Sequence, residues 1–226
     1  SQKSIYAICC PKCQAEFKTS LFDSVNVTES PEDKLSLLRN KLNRVDCPEC
    51  NYNFRIDKQL IYTDLERKFM VLLIPATLET LEEAEEEFQL SILSLNELLP
   101  DGTDAPSIYL SIDWAEMIEL IFLDAEKIDA REAEYIKYLI YTQNPETIDP
   151  EKKRLLFNRQ ESTPEALKFV VQDAETYALE QVVEFEQKAY SAIKETFEDD
   201  AHTGLVMEMF SGPYISARRL LLEKKI

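Results

Sequence analysis

The sequence predicts an α+β fold, and three observations carry that prediction. Two Cys-Pro-X-Cys turns, at 10–13 and 47–50, are each flanked by short runs in which apolar residues alternate. That is the pattern of strands entering and leaving a tight turn. Residues in the regions 80–99, 129–140 and 186–198 instead repeat apolar side chains at helical spacing, and short strand-like runs return after residue 150. At 226 residues the chain has room for one large domain or two small ones, each with its own core. The turn-rich stretch Asn144-Pro145 to Asp149-Pro150 sets the expected boundary, between a domain at 1–145 and a smaller C-terminal α+β domain at 146–226.

Taken in order, Ile5, Ala7 and Cys9 alternate into the first cysteine turn, and Phe17, Thr19 and Leu21 alternate out of it. Val45 precedes the second turn, with Tyr52, Phe54 and Ile56 after it. In each turn the proline presets φ just after the first cysteine. The residue after the second cysteine then needs a positive φ, which glycine meets most easily; here it is Gln14 and Asn51. Asn accepts that conformation better than Gln. Between the turns, Ser30 as N-cap and Pro31 at the first helical position start a short helix with Leu35, Leu37, Leu38 and Leu42 as its apolar residues.

Leu60–Tyr62 and Phe69–Ile74, ending at Pro75, predict a hairpin. Thr80 and Glu83 fit a capping box for a helix over 80–99, with Leu81, Ala84, Phe88, Ile92, Leu95 and Leu99 on its inner face. Pro100-Asp101-Gly102 breaks the chain. Residues 114–123 are apolar enough for either helix or strand. Asp129 and Glu132 cap a helix with Tyr135, Ile136, Leu139 and Ile140 inward. Strand-like runs follow at 155–157, 167–172 and 181–185, then a helix over 186–198 with Ala189, Ile193 and Phe197 inward. The apolar tail 214–222 is expected to dock back on the fold.

Four of the five cysteines form the two C-x-x-C pairs. Two such pairs can give one Zn²⁺ a complete tetrahedral sulfur set, so Cys10, Cys13, Cys47 and Cys50 are the candidate metal ligands. Four thiolates leave no open position for water or substrate, which makes the expected role of the single zinc structural. Set side by side, the two turns would form a zinc ribbon with a helical insert. Thirty-three residues separate Cys13 from Cys47, more than the ~15–20 of a compact two-turn site. Thiol–disulfide exchange is the competing use of a C-x-x-C pair, but neither pair leads into a helix that would lower a thiol pKa. Cys9, beside the first ligand, reads as a small buried apolar residue of the first strand.

Composition excludes several functions. His202 is the only histidine, which leaves no material for imidazole-based triads or zinc hydrolase sites. Asp199-Asp200-Ala201-His202 reads as a polar loop. The three glycines, Gly102, Gly204 and Gly212, rule out phosphate-cradling and dinucleotide-binding loops, so Arg218 and Arg219 have no such loop beside them. The acidic run 82–87 reads as a solvated helix face. Net charge is −18. Residues 1–60 hold nine Lys/Arg against eight Asp/Glu, whereas 61–226 hold 16 against 35. A nucleic acid would be repelled by the larger part and scarcely attracted by the smaller. No apolar run approaches the ~18 residues of a membrane span. The first residues lack the basic start and apolar stretch of a secretory signal. Paired, metal-ready thiols fit a reducing compartment, so the expected location is cytoplasmic.

The cysteine turns and their surroundings resemble the CpXC family of prokaryotic proteins. The likeness includes Leu21-Phe22-Asp23-Ser24-Val25-Asn26-Val27-Thr28 after the first turn, and Phe54-Arg55-Ile56 after the second. It continues through Ile61-Tyr62-Thr63-Asp64 and Lys68-Phe69-Met70. Family members generally carry Gly where this chain has Gln14 and Asn51. The resemblance implies zinc binding and a bacterial or archaeal source, and it implies no activity.

The reading that follows is a zinc-stabilised, non-enzymatic accessory or interaction protein with an unidentified protein partner. An enzyme using a carboxylate-lined site in the acidic part is the second reading. A nucleic-acid-binding zinc ribbon is the third, disfavoured by charge.

Overall fold

The computed structural model describes residues 1–98, 105–197 and 200–223. Those residues form a mixed α+β chain with seven helices and three sheets. Two compact units emerge, 1–118 and 119–226. The turn-rich stretch 144–150, where the sequence suggests a boundary, belongs to the second unit, and Ile148 is part of that unit's core.

The first unit is built on a five-stranded sheet in the order β1-β2-β5-β6-β7. Its strands are β1 (Gln2–Cys9), β2 (Glu16–Asn26), β5 (Leu60–Asp64), β6 (Phe69–Leu73) and β7 (Ser107–Ser111). The pairs β1–β2 and β5–β6 are antiparallel hairpins; β2–β5 and β6–β7 are parallel. Parallel neighbours require a crossover. Helix α1 (Pro31–Leu38) and the small hairpin β3 (Arg44–Asp46)–β4 (Asn53–Arg55) fill the first crossover, and α2 (Leu81–Leu98) lies in the second. Leu60, Tyr62, Val71 and Leu73 face one another across β5–β6 and are buried with Leu21, Val25 and Leu37.

Several expectations hold in this unit. Ser30 and Pro31 stand at the N-cap and first position of α1. The hairpin at 60–74 forms, and α2 buries Leu81, Ala84 and Phe88. Leu99 and Pro100-Asp101-Gly102 lie outside the described residues. Three details differ. Leu35 of α1 is exposed, because only Leu37 of that short helix turns to the sheet. In β1 the half-buried residues are Tyr6 and Ile8, whereas Ile5, Ala7 and Cys9 are exposed. The edge strand β1 buries none of its residues fully, so apolar alternation alone does not fix which side turns inward. Strand β7, which the sequence reading lacks, pairs with β6 through Ile108 and Leu110 opposite Met70 and Leu72.

The second unit places helices beside a three-stranded antiparallel sheet, β10 (Leu179–Glu186)–β9 (Ala166–Asp173)–β8 (Lys153–Phe157). The division between units falls within α3 (Trp114–Glu126), so the ambiguous apolar segment is helix. Asp129 caps α4 (Ala130–Gln143) by accepting the N–H groups of Arg131 and Glu132. Its inner face is Ala133, Ile136, Ile140 and Tyr141, shifted from the predicted stripe. In α5 (Gln187–Phe197) the predicted Ile193 and Phe197 pack against the core beside buried Tyr190, whereas Ala189 is exposed. Asp200, Ala201 and His202 lie in α6 (Asp200–Met209), not in a loop; Val206 and Phe210, four apart, bury its end. The tail docks through Tyr214 and Ala217 at the start of α7 (Ala217–Glu223).

Candidate metal centre

The two cysteine turns share one local geometry. Cys10 donates its N–H to the Ala15 carbonyl and accepts the Gln14 N–H on its own carbonyl, both at 2.9 Å. Cys47 repeats this with Tyr52 at 3.0 Å and Asn51 at 2.9 Å. Such closure forces a positive φ on the residue after the second cysteine, and Gln14 and Asn51 stand at 64° and 54°. The conformation expected of that position is therefore present in both turns, although neither residue is glycine.

The turns meet tip to tip. Cys10 Sγ lies 3.7 Å from Cys50 Sγ, and Cys13 Sγ lies 3.5 Å from Cys47 Sγ. All four sulfurs fall within 4.8 Å of one another. A tetrahedron with Zn–S bonds of ~2.3 Å has S···S edges of ~3.8 Å, so the two cross-turn distances suit a single ion between four sulfurs. A disulfide needs ~2.05 Å, and all five cysteines are free. These four side chains could hold a metal ion. Their residue type and spacing fit the zinc that the family resemblance implies.

Burial is uneven across the cluster. Cys10 and Cys47, the first cysteine of each turn, are fully buried, whereas Cys13 is exposed and Cys50 is half-buried. The electrostatics suit a cation at this position. Burial pushes the Cys10 thiol up, but the N–H groups of Cys13 and Lys12 and the neighbouring thiols outweigh it and bring Cys10 down to about 6. At Cys13 the Ala15 N–H favours the thiolate, yet burial and the sulfurs of Cys50, Cys47 and Cys10 carry it up to about 12. Cys50 is raised in the same way, against the pull of the Tyr52 N–H. One sulfur ionises and its neighbours resist, because adjacent thiolates repel. A divalent cation would remove that resistance for all four.

The surroundings fix the turns. Asn43, buried with φ of 53°, uses its side-chain amide as a strand substitute on β2: its Oδ1 accepts the Phe22 N–H at 2.8 Å and its Nδ2 donates to the Phe22 carbonyl at 3.1 Å. Arg55 of β4 stacks over Trp114, 5.0 Å from guanidinium to ring, and Trp114 Nε1 donates to Asp57 at 3.1 Å. Lys12 of the first turn sits over Tyr52 of the second, 5.6 Å from the ring centre. The sequence reading missed Asn43, Arg55 and Trp114 as supports. Cys9 is also corrected: it ends β1 exposed, with its thiol toward the Gln14 carbonyl at 3.4 Å, because the reversed strand face turns it to solvent.

Other candidates are engaged elsewhere. Arg218 donates to the Pro150 carbonyl at 2.7 Å, and Arg219 pairs with Glu223 at 2.7 Å. Glu119 is a carboxylate buried in the second unit and raised chiefly by that burial. It is paired with Lys137 at 2.8 Å and accepts the Phe157 N–H at 2.5 Å. Glu134 binds the same lysine at 2.6 Å and accepts the Ala217 N–H at 2.7 Å. Both carboxylates are committed to holding α3, α4, β8 and α7 together. Among the described residues no helix is long and apolar enough to cross a membrane.

The family model described as CpXC protein matches residues 8–137, more than half of the chain and including all four clustered cysteines. No curated protein and no solved structure matches it.

Proposed function

The chain belongs to the CpXC family, and on that basis we propose that it is a structural zinc protein acting as a non-enzymatic interaction module. Cys10, Cys13, Cys47 and Cys50 bind one Zn²⁺, which closes the two turns into a zinc ribbon with α1 inserted between them. The observation that carries this reading is the convergence of four sulfurs from two turns of matching backbone geometry. The hairpin β3–β4 has only three residues per strand, and its fully or nearly buried apolar residues are few, Leu42 and Val45 beside Cys47. Such a small element draws much of its folding free energy from the metal.

The partner is a protein. Ile5, Leu35 and Tyr52 leave apolar side chains exposed on the metal-bearing unit, which supports contact with another apolar surface. The acidic balance of residues 61–226 disfavours nucleic acid. A reducing compartment, and so the cytoplasm, suits four unbonded thiols.

Native mass spectrometry of the purified chain, together with Cys47→Ser, tests the zinc reading. One zinc per chain is expected in the parent protein and none in the variant, with loss of structure over residues 1–60. A Cys47→Ser protein that keeps its zinc and an unchanged Tm would sink the reading.

A further inference from the structure

We propose that the four-cysteine cluster is also a peroxide-sensitive switch, in which Cys13 is oxidised first and Cys47 resolves it, linking the two turns by a disulfide and releasing the metal. This inference rests on the zinc reading above. Its origin is the asymmetry of the site. Cys10 and Cys47 are fully buried, while Cys13 is exposed at the outer end of the first turn. Of the four ligands, Cys13 is therefore the one that an oxidant arriving from solvent meets first.

The resolving partner is already in place. Cys47 Sγ is 3.5 Å from Cys13 Sγ, across the two turns, and a disulfide needs the sulfurs to close to ~2.05 Å. Each turn is tied by its own backbone bonds, Cys10 to Ala15 and Cys47 to Tyr52, which set the two cysteines beside each other. The two sulfurs are thus neighbours at the moment Cys13 is oxidised. Once Cys13 and Cys47 are joined, Cys10 and Cys50 are the two sulfurs left, 3.7 Å apart. Two ligands do not satisfy a tetrahedral structural site.

The chemistry balances with a hydroperoxide as the oxidant. The Cys13 thiolate attacks one peroxide oxygen; an S–O bond forms, the O–O bond breaks, and the departing oxygen takes a proton and leaves as water or an alcohol. The Cys47 thiolate then attacks the sulfenic sulfur. An S–S bond forms, the S–O bond breaks, and the oxygen leaves as hydroxide, which a second proton converts to water. Two thiolates lose two electrons and the peroxide gains them.

Cys9 is the competing thiol, exposed and next to a ligand in sequence. The test must separate it from the pair. The full-length, zinc-bearing chain is titrated with hydrogen peroxide beside a chromogenic chelator, free thiols are counted, and linkages are mapped by differential alkylation and peptide mass spectrometry. The expected result is release of one zinc per chain with loss of two thiols, a Cys13–Cys47 linked peptide, and recovery on adding dithiothreitol and zinc. Cys9→Ser should release zinc with the same dose dependence. Zinc retained under excess peroxide overturns the switch alone, as does zinc release without a Cys13–Cys47 link or with oxidation confined to Cys9. A chain that is isolated without zinc and binds none when zinc is added overturns the switch and the zinc reading together.

Discussion

Gln14 and Asn51 occupy the same left-handed conformation at equivalent places in the two cysteine turns, each donating its N–H to the carbonyl of the first cysteine. A side chain with a β-carbon held there costs ~1–2 kcal/mol, less for Asn than for most residues. Gln14→Gly removes that cost and gives back part of it as unfolded-state entropy, ~0.5–1 kcal/mol. The expected outcome is a small net gain in stability for Gln14→Gly, about 0.5 kcal/mol, and a smaller change for Asn51→Gly. Gln14→Val should lose 1 kcal/mol or more, roughly, because β-branching makes positive φ harder still. Chelator titrations of the zinc-loaded proteins measure all three, and a tighter site in Gln14→Val than in Gln14→Gly would contradict the strain argument.

The chain's only tryptophan gives the metal centre an optical reporter. Trp114 is buried, stacked under Arg55 and hydrogen bonded to Asp57. Arg55 leaves the same hairpin that carries Cys47 and Cys50, so loosening the turn should pull the guanidinium off the ring. Removing zinc with a chelator is expected to shift Trp114 emission to longer wavelength and to raise its quenching by acrylamide. Arg55→Lys, which keeps charge but loses the flat stacking surface, should show part of that shift with zinc still bound. Identical spectra with and without zinc would mean that the hairpin holds Trp114 by itself.

The cysteine turns were legible because their chemistry is local. A tight turn, its proline and its positive φ are set within five residues, and the sequence displays all of them. The hairpin at 60–74 and the cap of α4 are local in the same sense. What escaped depends on distant partners. Asn43 acts through the Phe22 backbone, and nothing near it in sequence marks an amide that will stand in for a strand. Nothing near Glu119 or Lys137 in sequence marks them as partners; α3 and α4 bring them together. Strand β7 joins the sheet by pairing parallel to β6, and its five residues carry too little alternation to declare it. The reversed face of β1 and the shifted face of α4 share one cause: periodicity gives the spacing of a stripe, whereas the neighbouring element decides which stripe is buried.

Asp23 should make the first unit sensitive to acid. Its carboxylate accepts from Lys58 at 2.7 Å and from the Tyr6 hydroxyl, joining β1 and β2 to the segment just before β5. Lys58, with Ser4 and Tyr6, holds its pKa down at about 2, below the ~3.9 of an unfolded chain. A depressed carboxylate stabilises the fold fully above the unfolded value, and the contribution fades as pH falls through the folded value. Asp23→Asn is expected to cost about 1 kcal/mol at pH 7, and the difference from the parent should vanish as pH falls from ~4 toward 2. Comparing urea midpoints of the two proteins at each pH cancels the thiol protonation common to both. A difference that persists unchanged at the acid end would assign the effect to packing.

In the second unit the buried cluster predicts an asymmetric response to mutation. Lys137 is 4% exposed and bridges Glu119 and Glu134. Burial alone would lower its pKa, but the two carboxylates prevail and raise it. Its contribution is therefore present below ~10.4, and is lost as pH rises through the higher folded value. Lys137→Met leaves buried Glu119 and half-buried Glu134 close together without a cation, a loss of ~3–5 kcal/mol. Part of that should return in Lys137→Met/Glu119→Gln, because the neutral amide still accepts the Phe157 N–H and no longer repels Glu134. Hydrogen exchange over α4 follows the unit directly, with faster exchange in Lys137→Met and partial recovery in the double variant. If the double variant exchanges as fast as the single one, the cluster stabilises by shape and not by charge, and the raised Lys137 should then leave no trace in the alkaline stability of this unit.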